Sequence, residues 1–75
     1  MRELVLYLAR SLVDQPDEVT VEETVGPEAI ILELHVAPDD MGKVIGKQGR
    51  IAKAIRSVVK AATEKGGKPV FVEIQ

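Results

Sequence analysis

Three glycines, Gly42, Gly46 and Gly49, interrupt a stretch of the chain that otherwise shows the apolar spacing of helices. Glycine adopts backbone angles that other residues avoid, and it lets another backbone approach closely. The pattern therefore predicts a short helix, a tight loop and a longer second helix. We call Gly46, Lys47, Gln48 and Gly49 the glycine loop. Any fold for this chain must accommodate two consecutive helices that meet at this loop.

Apolar periodicity predicts the other elements. Apolar residues at three- and four-residue spacing, beginning with Leu4 and Val5, predict a helix that stops before Pro16. Alternating apolar and polar residues predict strands, and Gly26 with Pro27 marks a turn between the first two. The predicted helices cover residues 2–14, 38–45 and 50–64, and the predicted strands cover residues 18–22, 30–36 and 70–75.

The connections between the strands predict the topology. A short connection suits antiparallel pairing of the first two strands, whereas the two-helix crossover before the third permits parallel pairing. The order α-β-β-α-α-β therefore predicts one α+β domain over residues 1–75, with a three-stranded mixed sheet and three helices on one face. A domain of this size buries only about 60% of the surface that its unfolded chain exposes, so a partner surface would add stability.

The composition excludes several kinds of site. With no Cys and a single His, the chain offers no disulfide, no Cys-ligated zinc and no thiol nucleophile. We interpret His35 as a surface or structural residue, and Asp39 with Asp40 as capping residues of the helix that begins at Pro38. We therefore expect no enzyme activity, no metal, no cofactor and no small-molecule substrate.

The same composition bears on the compartment. No apolar run approaches the roughly 20 residues that span a bilayer. The N-terminal residues lack the charged, apolar and small-residue segments of a signal peptide. We therefore expect no membrane association and a cytoplasmic location.

Charge divides the chain into an acidic and a basic part. Residues 1–41 hold ten acids and two bases, whereas residues 42–68 hold eight bases and one acid. The overall net charge of −2 conceals this division. The basic part begins around the glycine loop and continues along the predicted helix 50–64. Such a one-sided block creates a local positive field, although basic side chains also commonly serve only to solvate a helix face.

Two common phosphate-binding motifs do not fit the glycine loop. A P-loop needs four residues between its glycines and a Ser or Thr after the Lys, but only three separate Gly42 from Gly46, and Gln48 follows Lys47. The dinucleotide fingerprint requires a further glycine where Val44 stands. The loop instead suits a sugar–phosphate backbone that runs past the start of a helix.

The run Val44–Ile51, with apolar residues before the glycine loop and a basic helix after it, resembles the signature of KH domains. In these domains a G-x-x-G loop clamps the backbone of about four nucleotides of single-stranded nucleic acid. The element order is similar to that of the bacterial, type II KH fold, and the likeness covers the whole chain. The resemblance implies an RNA-binding surface formed by Lys43, Gly46, Lys47, Gln48, Gly49, Arg50, Ile51 and Lys53.

Size and sequence resemble the small stand-alone bacterial KH proteins of the KhpA family. The resemblance implies a non-enzymatic binder of single-stranded RNA that could also take single-stranded DNA in vitro. It implies a post-transcriptional regulator or RNA chaperone linked to cell elongation and division. It also implies homodimers, and heterodimers with a larger KH-containing protein known as KhpB, Jag or EloR. The alternative is a dimerisation adaptor with weak or residual RNA binding.

Two further expectations concern individual residues. Successive residues of a helix are rotated by about 100° around its axis. In helix 50–64 this places Ala54, Val58 and Ala61 at the edge of the apolar face and makes that face wider than packing against one core requires. The extra width predicts a dimer surface. The alternative is that Val58 packs beneath the first helix. Aspartates at both Gly46 and Gly49 should abolish RNA binding without unfolding the domain.

Overall fold

The fold has the predicted α-β-β-α-α-β order. The computed structural model describes residues 1–63 and 66–75. The helices are α1 (Arg2–Leu12), α2 (Pro38–Ile45) and α3 (Arg50–Ala62), and the strands are β1 (Thr20–Val25), β2 (Ile30–His35) and β3 (Val70–Ile74). None of the helices in the described ranges has the length and apolar character that crossing a bilayer requires.

The sheet places β2 between the other two strands. It pairs antiparallel with β1, where Val21 lies opposite Leu34, and parallel with β3, where Leu32 lies opposite Val72. The predicted mixed sheet and α+β fold class are therefore confirmed.

The core lies between the sheet and the helices. Alternate strand residues such as Leu32, Leu34 and Val72 are buried, as the period of two requires. Helix α3 adds Ile55 and Val59, four residues apart on one face. Because the inward residues of the sheet and the helices form one core cluster, the helices occupy a single face of the sheet. The other face, which we call the outer face, carries the intervening residues.

The largest differences from the predicted boundaries lie at the end of α1 and at both ends of β1. Helix α1 ends at Leu12, and a single 3₁₀ turn, Pro16–Glu18, occupies the predicted beginning of the first strand. The proline favours this turn because its fixed φ suits the first position of a helical turn. Strand β1 therefore starts at Thr20 and continues to Val25. The predicted end of the long helix at Glu64 lies outside the described residues.

Asp40 joins two parts of the fold. Its side chain is only 1% exposed. The carboxylate accepts hydrogen bonds from the backbone N–H groups of Asp14 and Gln15, at 3.1 and 3.0 Å. The expectation that the side chains of Asp39 and Asp40 cap α2 is wrong, because Ala37 occupies the N-cap position and no side chain caps the helix there. Asp40 instead fixes the connection after α1 to the first turn of α2.

Replacing Asp40 with Ala should lower the free energy of unfolding by about 2–3 kcal/mol, because two partly buried N–H donors lose a charged acceptor. Asp39→Ala is the matched control, since Asp39 is exposed and, among the residues that the structure describes, accepts one side-chain hydrogen bond, from Gln15 at 3.3 Å. Its effect should stay below about 1 kcal/mol. Urea denaturation measures both values, and equal losses would show that the Asp40 contacts do not stabilise the fold.

Candidate nucleic-acid interface

The glycine loop forms a compact turn between α2 and α3. The Gly46 N–H donates to the carbonyl of Gly42 at 2.7 Å, and the Gly49 N–H donates to that of Gly46 at 2.8 Å. Gln48 and Gly49 both adopt left-handed backbone angles, with φ of 65° and 67°. Two consecutive left-handed residues reverse the chain within a few residues. Gly49 is also the N-cap residue of α3, so the loop leads directly into the positive end of that helix.

Gly46 has no space for a side chain. A Cβ atom at this position would overlap the carbonyl oxygen of Gly42, which belongs to the backbone and cannot rotate away. Gly49 differs, because its constraint is the left-handed φ, and a Cβ there would meet no atom within 4 Å. Gly46→Asp must therefore displace the backbone locally, and the expectation that the domain stays folded with aspartates at both glycines stays a prediction.

A groove of about 350 Å³ begins beside the glycine loop. Ile45 forms one side of its wall and is 56% exposed, although its neighbour Val44 is buried. Lys53 on α3 and Ile74 on β3 also line the groove. The remaining lining residues are Gln48, Gly49, Ala52 and Arg56. An aliphatic surface beside a left-handed loop and two cations matches what a nucleobase and its phosphate need.

A second hollow of about 450 Å³ continues between α3 and β3. Arg56 lines both hollows, so the two lie next to each other along α3. Val59, Val70 and Val72 contribute apolar surface, and Lys60 adds a second cation. Together, the groove and the second hollow follow α3 and the edge strand β3, with basic side chains on the helix side.

Several predicted site residues meet at this groove. Gln48, Gly49 and Lys53 line it, while Gly46 shapes the turn. Arg50 is exposed at the first position of α3, and Ile51 is half-buried against the core. The side chain of Lys47 lies outside the described part of the structure.

Sequence reasoning missed Arg56 and Ile74 as groove residues. Arg56 could have been predicted, because it lies three residues after Lys53 and therefore on the same side of the helix. No local sequence pattern places Ile74 there, since only the parallel pairing of β3 with β2 brings the end of β3 to the glycine loop.

Lys43 lies on a different side of α2. Helical geometry separates it from Ile45 by about 160° around the axis. Its ammonium group instead forms an ion pair with Asp14, with 3.1 Å between Nζ and Oδ1. A role for Lys43 at the RNA surface stays a prediction, and phosphate would have to compete with Asp14 for it.

The predicted dimer surface on α3 is open to solvent. Ala54 and Ala61 are exposed, and Val58 is 38% exposed, while Ile55 and Val59 of the same helix are buried. Val58 is therefore not fully buried, and the choice between a dimer surface and packing beneath α1 stays a prediction. Small exposed side chains on one side of a helix would let a second helix approach closely.

Comparison with known proteins identifies the fold family. Residues 2–74 match the family described as "KhpA/KhpB, KH domain". The chain belongs to the KhpA/KhpB family of KH domains. It is 68% identical over 74 residues to the RNA-binding protein KhpA of Clostridium perfringens, with 99% of each chain covered. It is 46% identical to the protein of that name from Aquifex aeolicus, with 99% of this chain and 94% of that protein covered. No solved structure gives a significant match.

Two glycine substitutions in this KH domain should have opposite effects on stability. Gly46→Ala should lower the free energy of unfolding by more than about 1 kcal/mol, because its Cβ meets a backbone oxygen. Gly42→Ala should raise it by about 0.5–1 kcal/mol, because Gly42 lies within α2 and a Cβ there meets nothing within 4 Å. Thermal or urea unfolding of both variants tests this, and two losses of equal size would contradict the close approach at Gly46.

Proposed function

We propose that this protein binds single-stranded RNA in the groove beside the glycine loop and catalyses no reaction. The observation that carries the proposal is the position of that loop: it opens directly onto a groove with aliphatic walls and a row of cations on α3. The names of its relatives as RNA-binding proteins support the same conclusion. The local basic field exists despite a net charge of −2.

The proposed binding mode separates the roles of backbone and bases. The glycine loop and the first N–H groups of α3 face the sugar–phosphate backbone, because helix N-termini leave these donors without intrahelical partners. Arg50, Lys53 and Arg56 supply the cations. Bases lie against the aliphatic surface of Ile45 and Ile74, and hydrogen bonds to base edges provide selectivity. A site of about four nucleotides releases few counterions, so the salt dependence of binding should be shallow.

Replacing Lys47 and Gln48 together with Asp should weaken RNA binding at least about tenfold, because two carboxylates then face the phosphate backbone. The variant keeps both glycines, and Asp tolerates the left-handed angles of Gln48. Fluorescence anisotropy with a labelled single-stranded RNA of mixed sequence measures the affinity.

The matched control for that experiment is Arg10→Asp with Ser11→Asp on α1, which makes the same change in net charge at two exposed positions. It should bind RNA within about twofold of wild type, since long-range charge effects are screened over roughly 10 Å at 0.1 M salt. Circular dichroism confirms that both variants fold. Equal affinities for the loop variant and wild type would refute the proposed clamp.

We also propose that the protein forms a homodimer through the exposed surface of Ala54, Val58 and Ala61. The exposure of Val58 on a helix that already buries a separate face supports this arrangement. The small size of the domain supports it too, since additional burial adds stability. A larger KH-containing protein of the KhpB type is a further proposed partner, which the family name supports. The resemblance to KhpA proteins is also what supports a cytoplasmic, post-transcriptional role connected with cell elongation and division.

Val58→Asp should convert a dimer into a folded monomer, because a charge placed between two close helices loses its hydration. Val25→Asp is the control, since Val25 is also an exposed valine but lies on β1. Sedimentation velocity should give a dimer for wild type and for Val25→Asp, and a monomer for Val58→Asp. A wild-type monomer at high micromolar concentration would exclude this surface as a homodimer interface.

A further inference from the structure

The outer face of the sheet brings together ligand groups that are distant in the sequence. The register between β1 and β2 places Glu22 directly opposite Glu33. His35 lies two residues beyond Glu33 on the same strand and therefore on the same face. The expectation of no metal site rested on His35 having no partner cluster, and strand pairing supplies the two partners that the sequence pattern did not reveal.

The donor atoms of these residues lie close together. The imidazole Nε2 of His35 is 3.9 Å from Oε2 of Glu33. One donor atom from each of Glu22, Glu33 and His35 lies within 4.8 Å of the others. A tetrahedral zinc ion with ligand distances of about 2.0–2.2 Å needs donors about 3.4 Å apart. Small side-chain rotations, without any change in the sheet, would bring the three donors to that spacing.

We propose that Glu22, Glu33 and His35 bind a divalent transition metal ion, and we take Zn²⁺ as the ion with which to test the site. One imidazole and two carboxylates are ligands that Zn²⁺ accepts, and the remaining coordination position is open to water. The imidazole disfavours Mg²⁺ and Ca²⁺, which take oxygen ligands. The site lies on the face opposite the helices, so it is separate from the RNA groove and independent of the proposed function.

The charges around the site favour a cation. Glu33 also lies directly opposite Glu73 of β3, so three carboxylates cross the sheet in one row. Like charges directly opposite one another on neighbouring strands are destabilising. Within the described ranges, no Lys or Arg forms an ion pair with any of the three glutamates. A bound divalent ion would relieve this repulsion and link β1 to β2.

Isothermal titration of the untagged chain with zinc chloride tests the proposal. We expect wild type to bind one ion per chain. His35→Ala and Glu22→Gln should each bind zinc at least about tenfold more weakly. Removing a residue that merely hydrogen-bonds to a metal ligand already lowers metal affinity about tenfold or more, and removing the ligand itself should cost no less. Zinc should also raise the unfolding temperature of wild type, because a ligand that binds the folded state stabilises it. It should raise that of His35→Ala much less.

Glu73→Gln is the matched control, because it removes a charge from the same row without removing a proposed ligand. It should bind zinc within a few-fold of wild type. Titration with Co²⁺ adds a spectroscopic readout, since coordination by His35 changes the visible spectrum of the ion and attraction by charge alone does not. Equal zinc binding by wild type and His35→Ala, or an equal loss in Glu73→Gln and Glu22→Gln, would overturn the proposal.

Discussion

Parallel pairing of β3 with β2 is the constraint on which the rest of this fold depends. A parallel neighbour cannot follow through a short hairpin, so the chain must cross over one face of the sheet before it returns. Helices α2 and α3 form this crossover, and α3 buries Ile55 and Val59 against the sheet. The crossover also fixes where β3 ends, which brings Ile74 to the glycine loop and completes the groove.

The crossover is compact because two helices meet with almost no connecting chain. Gly46 permits this by letting its backbone approach the Gly42 carbonyl, where any side chain would collide. The left-handed angles of Gln48 and Gly49 then redirect the chain into α3. The geometry that satisfies this folding requirement thus places two glycines at the positive end of α3. The residues that make this turn are also those at which we propose that phosphates approach.

The sequence predicted those parts of the structure that depend on local periodicity. Alternation of apolar residues gave the core face of β2 at Leu32 and Leu34, and helical spacing separated the buried Ile55 from the exposed Val58. The glycine loop was predictable because the conformational freedom of glycine, a local property, is what a tight turn between two helices requires. The sequence did not reveal the hydrogen bonds from the connection after α1 to Asp40, because they join residues 25 and 26 positions apart.

The candidate sites show the same division between local and tertiary information. Lys53 could be predicted, since a basic residue one turn into α3 must lie near the loop. Lys43 could not be placed, because its ion pair with Asp14 depends on how the end of α1 packs against α2. The cluster of Glu22, Glu33 and His35 depends on the register between β1 and β2. A shift of β1 by one residue would move Glu22 to the other face of the sheet and break up the cluster.

The division of charge along the chain is in part a division between two faces of the domain. The acidic part supplies β1 and β2, whose outer face carries Glu22 and Glu33, whereas the basic part supplies α3 and the groove. An acidic outer face would repel nucleic acid, which is consistent with the proposed binding of a phosphate backbone at the groove. A low net charge is therefore compatible with a local positive field along α3, because the glutamates of the outer face lie on the side of the sheet away from α3.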